Sequence, residues 1–436
     1  MQSLGLGPDS SSIVHNQGFS AEDICTKCAW DLAETLPTGE LYYWDTFWIV
    51  KGLLASGMTS TAAGVLYNFK TLIDRLGFIP NGARIYYSKR SQPPVFAAMV
   101  YEFYLTTGNL SVVTDLLPSI EKELKFFQDQ RSIVVNGSQV FQWHADSNVQ
   151  RPESYGPDTT ASQNPALQQS KSDYWLNMAS GAESGMDYGS RWIRPDSNGS
   201  YPIYNVYTTE FVPVDLSAWI CYAHEIAALL YNIQGNADSS SKHRSSALSL
   251  RQSIDAVFWN DTEGFYFDYD LVSKSHHRAF FASSLVPLYT LSYDTIDQRK
   301  LDKIYDYMLR NGLLNYTSGV PTSLSATGQQ WDFPFGWPNL NHVVIDAFRR
   351  SISARMQEEA FRLTQKWITG NLRVFTATKY MWEKYNVTGD VPQPGAGGEY
   401  NVQQGFGWTN GVVLDLLVKY GDRLQAPSED AKKSAS

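Results

Sequence analysis

The chain has 436 residues and a net charge of −9, with 35 Lys and Arg against 44 Asp and Glu. No run of basic residues breaks that balance, which argues against a nucleic-acid partner, since phosphate recognition needs a concentrated basic surface. Hydrophobic residues at 43% and charged residues at 18% exclude a disordered chain and supply apolar surface for a large core.

Residues 1–39 are weakly patterned, and 1–30 lack the apolar run a signal peptide needs. They hold Cys25 and Cys28, two of the three cysteines; the third is Cys221. A structural zinc site needs four ligands, and the seven histidines are scattered, so a chance pair and no metal is the expectation. From residue 44 onward the periodicity is helical. Apolar side chains recur at i, i+3, i+4 spacing over 44–58, 59–77, 93–107, 110–131, 213–234, 241–259, 296–313, 341–369 with a break, 370–386 and 410–424. No βαβ rhythm interrupts them, so the fold class expected is all-α. No stretch of about 18 uninterrupted apolar residues appears, hence no transmembrane segment is expected. The last residues, 426–436 (APSEDAKKSAS), read as a disordered tail.

Between the helices lie connections rich in Gly, Pro and Asn, at 81–94, 144–212, 315–340 and 387–409. Loops of that length in a compact domain tend to be functional. The segment 144–212 carries Tyr155, Tyr174, Trp175 and Trp192, too aromatic for a solvated tether, and reads as ordered loop over a site. With 13 Trp, 26 Tyr and 21 Phe in the chain, aromatics serve a core, a sugar-stacking surface, or both. The decisive pattern is that the loops interleave charges with aromatics: NGARIYYSKRSQPP at 81–94, RPESY at 151–155, ESGMDYGSRW at 183–192, QQWDFPFGWP at 329–338, GAGGEYNVQQGFGWTNG at 395–411. A polar pocket with aromatic walls accounts for this, and it suits an uncharged, hydroxyl-rich ligand. The glycines Gly395, Gly397 and Gly398 lack the Lys-Ser/Thr of a phosphate loop and read as a lid bringing Glu399 over a bound sugar.

These blocks resemble the trehalases, glycoside hydrolase family 37. QWDFPFGW from Gln330 resembles their second signature, and YYWDTFWIVKGLLASGM from Tyr42 the end of their first. The remaining blocks, with MWEKYNV at 381–387, follow in family order over about residues 40–425. The resemblance implies an (α/α)6 barrel, hydrolysis of α,α-trehalose to two glucose molecules with inversion, and no metal or organic cofactor. By motif it implies Asp187 as general acid and Glu383 as general base. For substrate binding it implies Trp44, Asp45, Asn81, Arg90, Ser91, Gln92, Arg151, Pro152, Glu153, Gly185 and Glu399. Arg and Asn donate to sugar oxygens while carboxylates accept from hydroxyls; an ion pair between Arg151 and Glu153 is the structural alternative. Gln330, Trp331 and Asp332 are expected to wall and brace the site.

The same comparison assigns 1–39 as an atypical N-terminal segment. Pro37 stands where the family's first signature has an arginine, Met186 where a Trp is usual and Asn339 where a Pro is usual. The expectation is a barrel without its first helices and a weakened enzyme. Six Asn-x-Ser/Thr sequons, at Asn109, Asn136, Asn198, Asn260, Asn315 and Asn386, together with the resemblance, point to an extracellular or cell-surface glycoprotein. Two other readings stay open: a trehalase-like sugar-binding protein with little turnover, and another (α/α)6 glucosidase.

Overall fold

The computed structural model describes residues 41–389 and 393–425. The expectations for 1–39, Cys25, Cys28, Pro37 and 426–436 lie outside the described residues. Within them run thirteen α-helices: α1 (Asp45–Ala55), α2 (Thr59–Leu76), α3 (Phe96–Thr107), α4 (Leu110–Gln130), α5 (Tyr155–Ala161), α6 (Lys171–Glu183), α7 (Val214–Ile233), α8 (Ala237–Phe258), α9 (Val286–Tyr289), α10 (Gln298–Arg310), α11 (Pro338–Arg350), α12 (Ala354–Thr378) and α13 (Gly407–Tyr420). Ten short strands decorate them: β1 (Ser132–Val135), β2 (Ser138–Phe141), β3 (Phe211–Val212), β4 (Trp259–Asn260), β5 (Phe265–Tyr266), β6 (Asp268–Asp270), β7 (Ser275–His277), β8 (Phe335–Gly336), β9 (Tyr385–Asn386) and β10 (Gln393–Pro394).

The helices sort into two rings by how they are buried. Along α1, α7, α11 and α13 most side chains are covered, polar ones included. A helix buried all round belongs inside. By contrast α10 buries Lys300, Leu301, Ile304, Tyr307 and Met308, the i, i+3, i+4, i+7 stripe of a helix with one wet face. Likewise α2 buries Ala62, Leu66, Phe69 and Ile73. The inner helices α1, α3, α7, α9, α11 and α13 each pack on the next, and α13 closes back on α1. Gly411 allows that closure, because a Cβ there would run into the Trp48 carbonyl. Outside stand α2, α4, α8, α10 and α12. This is the (α/α)6 architecture.

Connectivity places the site. Four of the six inner helices, α1, α3, α7 and α11, return through their outer partners by a short turn, at 56–58, 108–109, 234–236 and 351–353. Gly57, Gly108 and Gly235 take positive φ in three of these, a conformation that costs glycine little. The long loops lie at the opposite end, leading into the N-termini of the inner helices.

Two expectations need correction. The segment 144–212 is ordered, but it contains helices α5 and α6. The helix expected over 370–386 is instead the end of one long helix, α12. That helix stops where Lys379 takes a left-handed φ of 65°, so Glu383 lies on a bend two residues before β9.

Within the ring, His342, Asp346 and Asp415 bring ligand atoms within 4.8 Å of one another. Lys419 Nζ lies 2.6 Å from a carboxylate oxygen of both acids, and Lys51 Nζ lies 3.4 Å from Asp415 and 2.8 Å from Glu102. Lysine ammoniums thus balance the acids. Among the described residues, no helix is long and apolar enough to cross a membrane.

Candidate active site

The loops at the N-terminal ends of the inner helices converge on three carboxyl groups. Asp45 is the first residue of α1. Asp187 follows α6 by a turn through Ser184 and Gly185, the latter at φ 70°. A Cβ on Gly185 would stand 2.6 Å from Trp44 Cε2; only glycine lets this turn lie against the indole. Glu383 is buried and is held by its neighbours: Tyr400 Oη donates to Oε1 at 2.8 Å, and the Gln403 amide points at Oε2 at 3.4 Å.

The three groups lie within electrostatic reach of one another through Asp45, which feels both Glu383 and Asp187. Burial first, then the fields of Glu383 and Asp187, push the Asp45 carboxyl up to about 8. Burial and the Glu399 field push Asp187 up to about 7, against the opposing pull of Arg151 and Arg90. Burial also pushes Glu383 up to about 7, opposed by the Tyr400 hydrogen bond and the Lys384 ammonium. Desolvation disfavours the charged form, which is why all three shifts run upward. Interacting carboxyls poised near neutrality suit proton transfer in both directions.

Around them the residues expected at the site fall into two groups. Arg90 Nε donates to Asn81 Oδ1 at 2.7 Å, and its Nη2 pairs with Glu153. Arg151 grips Asp158 through Nε at 3.0 Å and Nη2 at 2.7 Å, and reaches Glu399 at 2.9 Å. The structural alternative of an Arg151–Glu153 pair is therefore corrected: Glu153 serves Arg90, while Arg151 serves Asp158 and Glu399. Each cation acts on Asp187 and has an acid partner beside it.

The second group holds the frame. Gln92 Oε1 accepts the Trp44 amide at 3.0 Å. Ser91 donates its hydroxyl to the Ile79 carbonyl at 2.7 Å and its amide to Glu183 at 2.8 Å. Pro152 is exposed and opens a 3-10 turn. Asp332 accepts from the Ser190 amide and hydroxyl and from Ser323, each at 2.6 Å, so it braces the chain after Asp187. Trp331 stacks on Trp337 with centroids 3.7 Å apart and lies 6.0 Å from Trp44. Gln330 donates its side-chain amide to the Asp187 carbonyl.

Residues 38–421 match the family described as Trehalase. The chain belongs to the trehalase family. Trehalase from Oryctolagus cuniculus is 40% identical over 398 residues, covering 89% of this chain and 67% of that one. Trehalase from Homo sapiens is 39% identical over 390 residues, covering 88% and 66%. The chain thus spans about two thirds of the length of these relatives. Among solved structures, neutral trehalase Nth1 from Saccharomyces cerevisiae superposes with a TM-score of 0.71 at 20% identity, covering 91% of this chain and 73% of that one. That likeness speaks for the helical barrel.

Sequence reasoning missed four residues of this trehalase-family site. Tyr400 and Lys384 both touch or adjoin Glu383, and both sit within blocks that had been singled out for other residues. Glu183 accepts from Arg131 at 2.7 and 2.9 Å, from Ser91 and from His144, anchoring the end of α6. Arg191 is clamped by Asp215 and Asp268 at 2.7–3.0 Å. The ESGMDYGSRW block contains Glu183 and Arg191, but their partners lie too far along the chain for spacing to reveal them.

Proposed function

We propose that this chain hydrolyses α,α-trehalose to two glucose molecules with inversion, Asp187 acting as general acid and Glu383 as general base. The observation that carries this reading is that these two buried carboxyls, from separate loops, both act on Asp45, Lys384 and Tyr400, and that each is pushed up to about 7. Protonated Asp187 delivers its proton to the oxygen bridging the two sugars as that bond breaks. Ionised Glu383 takes a proton from the water that attacks the anomeric carbon from the opposite face. An inverting pair needs room for that water, which sets a carboxyl separation of about 6.5–9.5 Å. Arg90 with Asn81 and Glu153, and Arg151 with Glu399, offer the alternating donors and acceptors that sugar hydroxyls require. Trp44 and Trp331 wall the pocket, and Asp45, up to about 8, offers a neutral carboxyl that can donate as well as accept. Asn109, Asn136, Asn198 and Asn315 are exposed, which supports placing glycans there on an exported protein.

The test is Asp187→Asn and Glu383→Gln, assayed by glucose release from trehalose, with maltose as the contrasting disaccharide. Each variant should turn over at least about 10²-fold more slowly, while calorimetry still detects trehalose binding. Near-normal rates in either would show that another group carries the chemistry.

A further inference from the structure

The residue after Glu383 is a fully buried lysine. Burying an ammonium is costly unless strong partners compensate. The two hydrogen-bond partners of Lys384 Nζ among the described residues are neutral oxygens, the Gly397 carbonyl at 3.1 Å and Gln330 Oε1 at 3.4 Å. The faces of Trp337 and Phe335 lie 5.1 and 5.4 Å away. A cation held this way is worse placed for stability than the paired lysines Lys51 and Lys419. Its position near the reacting carboxyls is what it gains.

Three segments of the site meet at this side chain. Gln330, which accepts from Lys384, uses its amide to hold the Asp187 carbonyl. Glu383 is its chain neighbour. The segment 395–400 lies directly against it: Gly395 donates to the Lys384 carbonyl at 2.8 Å, and a Cβ on Gly395 would stand 2.5 Å from Lys384 Cγ. A Cβ on Gly398 would stand 2.6 Å from Gln330 Oε1. Glycines at 395 and 398 thus let this segment settle on Lys384 and Gln330. From that seat Glu399 reaches Arg151 and Tyr400 reaches Glu383.

We propose that Lys384 is a positioning residue of the hydrolytic site: its ammonium seats the 395–400 segment, so that Glu399 and Tyr400 reach their partners, and its charge favours the ionised form of Glu383. The inference rests on Glu383 being the base. Burial pulls the ammonium down to about 8, against the fields of Glu383 and Asp187, so the cation is present at neutral pH. The groups facing Glu383 are Tyr400, Lys384, the Gln403 amide and Asp45; those around Asp187 are Glu399, Arg151 and Arg90.

The experiment compares Lys384→Met, Lys384→Arg and Gly395→Ala by pH profiles of kcat/KM on trehalose. Lys384→Met removes both functions. KM should rise about 10-fold, the scale of one lost polar contact, and the acidic limb should move up by about half a unit to one unit as Glu383 loses a neighbouring cation. Lys384→Arg keeps the charge and should hold the limb in place. Gly395→Ala disturbs the seat with the charge intact, so KM should rise, and the limb should move up only by what the loosened Tyr400 hydrogen bond contributes. A folded Lys384→Met enzyme with the original KM and limb overturns the proposal. If that variant does not fold, an unchanged KM in Gly395→Ala, or a limb in Lys384→Arg displaced upward, overturns it instead. An active Glu383→Gln enzyme would refute the underlying assignment of the base, whereas an inactive one beside an unaltered Lys384→Met refutes the positioning role alone.

Discussion

Replacing Tyr400 by phenylalanine removes one oxygen from the site and leaves the ring in place. That oxygen donates a 2.8 Å hydrogen bond to Glu383 Oε1. A donor to a carboxylate favours the ionised form, so its loss must raise the Glu383 pKa from its value of about 7. Hydrogen bonds to charged groups contribute about 1.5–3 kcal/mol. Tyr400 is 43% exposed, so water takes part of the vacated position, and roughly half of that contribution survives as a difference. At 1.36 kcal/mol per unit, the shift is about half a unit to one unit. A general base must be ionised in the free enzyme, so the acidic limb of kcat/KM reports it and should move to higher pH by that amount. The assay is glucose release from trehalose on both sides of neutrality, with the melting temperature as a control. A limb that stays put or moves toward lower pH, in a variant that remains folded, would refute the idea that Tyr400 serves Glu383.

Two further outcomes concern the frame. Gly185→Ala places a Cβ 2.6 Å from Trp44 Cε2 at a φ of 70°, where an alanine costs about 1–2 kcal/mol before any clash. The variant should lose at least about 10-fold in kcat/KM, as the Asp187 turn shifts off Trp44 by a fraction of the distance that positioning tolerates; wild-type kinetics would mean the turn does not set the acid. Lys51→Met leaves Glu102 and part of the Asp415 charge uncompensated inside the ring. Its unfolding free energy in urea should fall by about 3–5 kcal/mol, with kcat little changed in the fraction that remains folded. An unaltered urea midpoint would show that Lys419 suffices for Asp415 and that Glu102 does not depend on Lys51.

The two rings were legible because burial leaves a periodic trace. α10 and α2 show a single apolar stripe, whereas α1 is apolar nearly all round, and the expected boundaries fall close to the observed ones. α6 escaped because its sequence, KSDYWLNMASGAE, mixes Ser, Gly and Asn with its aromatics and has no stripe. What buries it is the loop layer packed over the barrel end, a tertiary fact. Glu383 was assigned to a helix because apolar spacing continues past Thr378. The chain leaves the helix at Lys379 for a local backbone reason, a left-handed residue that is not glycine. At the site, blocks of sequence singled out Asp187, Glu383 and Arg151 as candidates, but not who holds whom. Arg151 reads as the partner of Glu153 two residues on. The first turns of α5 bring Asp158 to it instead, and the glycine segment brings Glu399.

On the proposed roles, acid and base draw their protonation from one set of interacting carboxyls. Asp45 stands at the N-terminus of α1, where the helix dipole favours a negative charge. Its carboxyl is nevertheless pushed up to about 8, because burial and two neighbouring carboxyls outweigh the dipole. Asp187 and Glu383 are each pushed up to about 7, so burial favours keeping protons on the set near neutral pH. Hydrolysis with inversion needs one group protonated and one ionised at the same moment. A shared pocket that keeps the set partly protonated satisfies that need across a band of pH around neutrality. The asymmetry then comes from partners: Tyr400, Lys384 and the Gln403 amide favour charge on Glu383, while Glu399 disfavours it on Asp187. Because the groups interact, the limbs of a pH profile belong to the set, and it is the movement of each limb in the single-residue variants that assigns a role to each carboxyl.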